Sequence, residues 1–130
     1  MGISMRLSAF LSGKGGPVRL NAYVLGWTMN DYPDLRAELA RLGLHSQDDE
    51  GDLRLAVPFD RLNEVVPLLQ KHFNAPYNYV DIQFPDQQLT VIVFQHRQFM
   101  LRNPAENAAA QRWAIAQGLP PQQADWGTSF

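Results

Sequence analysis

Tyr77-Asn78-Tyr79-Val80-Asp81-Ile82-Gln83-Phe84, then Pro85-Asp86-Gln87-Gln88, then Leu89-Thr90-Val91-Ile92-Val93-Phe94, is the longest β-type run in the chain and decides how it folds. Asn78, Val80, Ile82 and Phe84 point one way. Tyr77, Tyr79, Asp81 and Gln83 point the other. A period of two is the signature of a strand. Apart from Asn78 the first set is apolar and suits a core, whereas the second is aromatic and polar and suits water or a partner. Pro85-Asp86 breaks the run, because proline presets φ and aspartate bonds its own backbone. Leu89 to Phe94 is apolar on both faces, as an inner strand covered on both sides requires. His96-Arg97-Gln98 reads as a second turn and Phe99-Met100-Leu101 as a returning strand. The alternative is one long bent strand from Leu89 to Leu101.

Working toward the N-terminus, Asn74-Ala75-Pro76 ends a helix expected from Phe59 to Phe73. Leu62, Val65, Val66, Leu69 and Phe73 fall on one helical face. Pro67 lies inside it and is expected to kink or divide it. Leu53 to Val57 reads as a short strand. His45 to Asp52 is the most polar segment and reads as a solvated loop. Its Asp48, Asp49, Glu50 and Asp52 suggest calcium, but the D-x-[DN]-x-[DN]-G order and the later glutamate are missing. A helix is expected from Tyr32 to Leu42, capped by Asp31, with Pro33 in its first turn and Gly43 after its end. Val18 to Gly26 and Met5 to Leu11 alternate and read as a hairpin around Ser12-Gly13-Lys14-Gly15-Gly16-Pro17. That loop lacks P-loop spacing, and a strand follows it where a helix should begin.

Working toward the C-terminus, the last helix has the clearest signals. Asn103 is the N-cap, Pro104 stands at N1, Glu106 at N3 completes a capping box, and Gly118 with Pro120-Pro121 ends it. The stretch from Pro120 to Phe130 carries Trp126 and Phe130. Large aromatic residues are rare in disordered ends, so residues 120–130 are expected to form a docked tail, with Trp126 set on the domain or on a partner.

The chain has 130 residues, 45% hydrophobic and 18% charged, which predicts one α+β domain over residues 1–130. The element order ββαβαβββα contains no β-α-β-α series. It predicts a two-layer domain: a mostly antiparallel sheet of five or six strands, with three helices largely on one face. There are no cysteines, which excludes disulfides, thiolate metal sites and a cysteine nucleophile. Met1 to Leu11 is too short and too alternating for a signal-peptide core, and no apolar run approaches the roughly 20 residues that span a bilayer. A cytoplasmic location and no membrane partner are therefore expected. Nine arginines against two lysines point to a bacterial source. Eleven basic against 13 acidic residues argue against nucleic acid as partner, as does the missing RNP pattern.

No catalytic, metal or nucleotide motif stands out. His45, His72 and His96 are scattered without ligand spacing, and the serines lie in no nucleophile-elbow context. No cofactor and no metal are expected. The outward sheet positions include Tyr23, Arg54, Tyr77, Tyr79, Asp81 and Gln83, rich in tyrosine and arginine as protein interfaces are. The leading expectation is thus a protein-binding or regulatory module of adaptor or immunity type, working through this face with His96 and Trp126 as further contacts. Its partner would be another protein or a second copy of the chain. An ordinary solvated face is the bland alternative. The runner-up function is a small enzyme or small-ligand binder with a pocket between sheet and helices near Asp81, His96 and Trp113.

Overall fold

A computed structural model of the chain describes residues 19–130. The strand expected at Met5 to Leu11 and the glycine-rich loop lie outside the described residues. The central hairpin forms as its alternation requires. Strand β4 (Tyr79–Phe84) pairs antiparallel with β5 (Leu89–Phe94), from Tyr79 opposite Phe94 to Phe84 opposite Leu89. Val80, Ile82 and Phe84 are buried, and every residue of β5 is buried. Pro85–Gln87 makes a single 3-10 turn between them. Tyr77 and Asn78 precede the strand rather than begin it. Asn78 is buried because its amide donates to Asn74 Oδ1 at 2.7 Å. After a turn at Gln95–Arg97, β6 (Gln98–Leu101) returns along β5, so the long bent strand is not formed.

Strand β1 (Ala22–Val24) lies between β4 and β3 (Asp52–Leu55), with Ala22 opposite Ile82 and Tyr23 opposite Arg54. The segment expected to be a solvated loop is corrected by the structure. Ser46–Asp49 is strand β2, paired with β3 from Ser46 opposite Leu55 to Asp49 opposite Asp52. Glu50 and Gly51 close this hairpin with φ values of 50° and 91°. Positive φ at both central residues is the primed turn that matches strand twist. The strand is polar because it is an edge with a solvated face, and charged side chains on an edge discourage pairing with other chains. The sheet is wholly antiparallel in the order β2-β3-β1-β4-β5-β6.

Helix α1 (Tyr32–Arg41) and helix α2 (Leu62–His72) pack on one face of the sheet. Leu35 and Leu39 of α1 meet Val65, Val66 and Leu69 of α2 over Val80, Ile82, Val91 and Val93. Asp31 sits at the N-cap of α1 with φ 51°, but its carbonyl, not its side chain, receives the Asp34 and Leu35 N–H groups. Phe59–Arg61 forms a 3-10 turn ahead of α2 instead of continuing it. Pro67 remains inside α2 on its exposed side, where the carbonyl that loses its partner faces water.

Helix α3 (Pro104–Ala116) covers the opposite face over β5 and β6. Asn103 Oδ1 accepts from Glu106 N–H at 2.9 Å, while Glu106 Oε1 accepts from the Arg102 N–H at 2.7 Å, one residue earlier than a standard capping box. The chain after α3 runs over the same face, burying Leu119, Ala124 and Trp126 against Ile92, Phe94 and Leu101. The two-layer description therefore holds over β2, β3 and β1. Over β4–β6, α3 and the tail add a third layer, as the burial of both faces of β5 demands. Among the described residues no helix is long and apolar enough to cross a membrane.

Candidate functional site

The third layer stops short of β1, β3 and β2. Among the described residues, what stays uncovered is the part of the sheet face that carries Tyr23, Arg54 and Asp81. The strand alternation that buries Ala22 and Val24 necessarily turns Tyr23 outward, and it does the same for Arg54 between Leu53 and Leu55. Arg54 stacks on Tyr23, its guanidinium carbon 4.8 Å from the ring centroid, and its Nε approaches Asp49 Oδ2 at 3.3 Å. Tyr23 donates its hydroxyl to Asp49 Oδ2 at 3.0 Å. That hydrogen bond, burial and the charges of Asp49 and Asp52 together hold the Tyr23 phenol above its ordinary range. Arg54 is thus engaged within its own sheet, and Asp81 accepts from Gln83 Nε2 at 2.7 Å instead of pairing with it.

Beside Tyr23 a groove of ≈ 360 Å³ opens between the sheet and the segment that follows β1. Tyr23, Trp27, Tyr77 and Tyr79 give it four aromatic rings, and Asp81 and Asp125 give it two carboxylates. A shallower hollow of ≈ 200 Å³ continues past Tyr23 and Asp81 toward Arg19, Arg54 and Gln83. Trp27 stands in the 3-10 turn Gly26–Thr28 and is 69% exposed, far more than Tyr23 at 39% or Tyr77 at 37%. The turn is anchored on both sides. The Gly26 N–H donates to Asp52 Oδ1 at 2.8 Å, and Asn74 Nδ2 donates to the Trp27 carbonyl at 2.9 Å. The indole is thus held by its backbone and left in water.

The other sequence-predicted positions take different places. Tyr79 is only partly exposed. It lines the groove, yet its ring packs edge-on to Trp126 at 5.2 Å and its hydroxyl donates to the Gln123 carbonyl at 3.1 Å. Gln83 ties down the tail, donating to the Gly127 carbonyl at 2.9 Å and accepting from Ser129 Oγ at 2.7 Å. Trp126 is buried, with Nε1–H donating to Asn107 Oδ1 at 2.6 Å. His96 lies exposed in the β5–β6 turn and does not line the groove that holds Asp81. Trp113 packs on Phe94 and Phe99, with ring centroids 4.8 Å and 5.5 Å apart. The structure thus gathers Tyr23, Tyr77, Tyr79 and Asp81 at one groove and leaves His96 and Trp113 outside it. Trp27 was missed because its segment has no periodicity, although a tryptophan among Thr28, Asn30 and Asp31 is itself a signal.

Burial first, and the charges of Asp81 and Asp125 second, push the Tyr79 phenol up to about 12 from 10.0. A group whose folded value lies above its unfolded one stabilises the fold fully below the unfolded value and loses that contribution as pH rises through the folded one. An alkaline titration followed by tyrosinate absorbance should therefore show a last step near pH 12, accompanied by loosening of the tail. Tyr79→Phe should abolish that step. A parent protein whose tyrosines all ionise together near pH 10 contradicts the burial.

Among the described residues the groove is lined by no histidine; its rings and carboxylates can stack, accept hydrogen bonds and attract cations. A group of metal-ligating side chains lies instead on the helix layer, where Asp34, Glu38 and His72 converge. No family model matches the chain, and neither a curated protein nor a solved structure is significantly similar to it.

Proposed function

We propose that this protein binds another protein through the groove, taking up a cationic side chain of its partner between Trp27 and Tyr77 above Asp81 and Asp125. The observation that carries this reading is the exposed indole of Trp27 standing beside three tyrosines and two carboxylates. A guanidinium or ammonium over aromatic faces gains about 0.5–2 kcal/mol, more as it is desolvated. The carboxylates add charge complementarity that favours rapid and selective encounter. The arginine that the sequence suggested for the rim, Arg54, supports the site from below by holding Tyr23 in place. A regulatory or adaptor role is consistent with the same chemistry, since rings and carboxylates at the groove serve recognition of a cationic side chain.

The pair Trp27→Ala and Tyr77→Ala tests this reading. Both rings are exposed, so each change should alter stability by less than about 1 kcal/mol. Each should weaken partner binding by about 2 kcal/mol or more, the size of a hot-spot loss. Binding is measured by titrating the protein with its captured partner and with an arginine-rich peptide while Trp fluorescence is followed. Parental affinity in both variants would refute the groove. Tyr79→Ala is the wrong variant for this purpose, because Tyr79 also holds the tail.

A second reading draws on the same groove, whose volume falls within the range of small-molecule sites, roughly 300–1,000 Å³. A small organic cation would then be the ligand. Saturable binding of free arginine or a quaternary ammonium, lost in Trp27→Ala, together with no effect of an added peptide, would select it.

A further inference from the structure

Asp34 and Glu38 are one helical turn apart on α1 and so share a face. Helix α2 ends at His72, whose side chain is only 7% exposed. Packing of α1 on α2 brings the three together, with donor atoms within 4.8 Å of one another. His72 is held from outside the cluster: its Nδ1 lies 2.8 Å from the Asn30 carbonyl oxygen. A carbonyl only accepts, so Nδ1 carries the hydrogen. Nε2 then faces Glu38 Oε1 at 2.7 Å, and these two basic atoms need a positive centre at their contact.

We propose that this is a binding site for a first-row divalent metal ion, of which Zn2+ is the type, held by His72 Nε2, Glu38 Oε1 and the Asp34 carboxylate. The ion takes the place of the direct contact between Nε2 and Oε1, which opens from 2.7 Å to admit it. A nitrogen with two carboxylate oxygens suits zinc and its neighbours better than magnesium or calcium. Four-coordinate zinc with bonds of about 2.1 Å sets its ligands about 3.4 Å apart. The gap closes through Asp34, which is exposed and makes no side-chain hydrogen bond among the described residues. The surroundings are those a metal-bound histidine uses. A backbone carbonyl on the far ring nitrogen fixes its tautomer and orientation. Lys71 Nζ holds the other Glu38 oxygen, Oε2, at 2.6 Å, which keeps Oε1 turned to the ion. Three protein donors leave a fourth position open to water or to another ligand. Such an ion would also clamp α1 to α2 beside Asn30, whose N–H donates to the His72 carbonyl at 2.6 Å, three residues from Trp27.

The test uses the full chain, stripped of metal by a chelator. Zn2+ is titrated calorimetrically, Co2+ is added while its visible absorption is followed, and Ca2+ serves as the control. The expected result is one Zn2+ per chain, the absorption of four-coordinate Co2+, and no heat with Ca2+. Asp34→Asn should weaken Zn2+ at least tenfold, roughly the loss seen even for outer-sphere partners. The melting temperature of that metal-free variant should stay at the parental value. His72→Gln should abolish binding, and Asp34→Asn keeps the test decisive if that variant does not fold. Equal Zn2+ affinity in Asp34→Asn and the parent would overturn the proposal, as would a parent that binds Zn2+ no more tightly than Ca2+. The three residues would then form an ion-pair network only.

Discussion

Trp126→Ala is expected to destabilise the protein by about 3–5 kcal/mol, the cost of emptying a site filled by a large aromatic side chain. Trp126 is 7% exposed and packs edge-on against Tyr79 at 5.2 Å and Phe94 at 6.2 Å. Its indole N–H also satisfies Asn107 Oδ1. Alanine removes the rings' partner and leaves that acceptor without its donor. The neighbouring tail contacts then lose their support: Gln111 to the Ala124 carbonyl, Gln83 to the Gly127 carbonyl and Thr90 to the Ser129 N–H. Small domains have only about 5–15 kcal/mol in total, so this one change removes a large share. Urea unfolding measures it, and limited proteolysis should cut the variant after Gly118 faster than the parent. Trp126→Phe separates the two contributions: it keeps most of the bulk and should recover all but about 1–2 kcal/mol, a buried hydrogen bond with its orphaned acceptor. A loss under about 1 kcal/mol in Trp126→Ala would mean that the tail does not hold the sheet in solution.

Gly26→Ala carries the second large effect, and it acts through the backbone. A Cβ at position 26 would overlap the carbonyl oxygen of Gly51 and touch Tyr32 Cδ2 at 3.4 Å. The Gly51 carbonyl cannot rotate away, because it belongs to the primed turn that closes the β2–β3 hairpin. Either that hairpin or the Gly26–Thr28 turn must shift, and the Gly26 N–H bond to Asp52 goes with it. Overpacking of this kind costs about 3 kcal/mol or more when backbone blocks the relief. Trp27 follows directly in the chain, so the variant should also lose the partner binding proposed for Trp27. Gly43→Ala is the control. Gly43 has φ 73° but open space around its missing Cβ, so only the left-handed conformation is penalised, at about 1–2 kcal/mol. Equal losses in the two variants would deny the close approach of the Trp27 turn to the hairpin.

Much of the α+β fold was legible before any coordinates. The β4–β5 hairpin, the leucine stripe of α1, the periodic face of α2 and the cap at Asn103 are all local patterns, set by side-chain period and by backbone groups that need partners within a few residues. Burial of both faces of β5 even implied a covering layer on each side. The placement of α3 and the tail supplied it. Strand β2 was illegible because its residues, Ser46-Gln47-Asp48-Asp49, have low strand propensity and were recruited by pairing with β3. Gln83 and Tyr79 looked like outward contact residues because alternation assigns a face. It does not say what will later cover that face.

The sequence by itself determined the elements and the inward side of each, since period, caps and turn chemistry act over short distances. Only the tertiary structure decided which part of the outward face stays open, that Trp27 stands over it, and that Asp34 and Glu38 meet His72. Those facts depend on contacts between residues 34 to 50 positions apart, such as Glu38 with His72 and Thr28 with Asn78. Packing of the helices and docking of the tail bring such residues together, and no local periodicity records it.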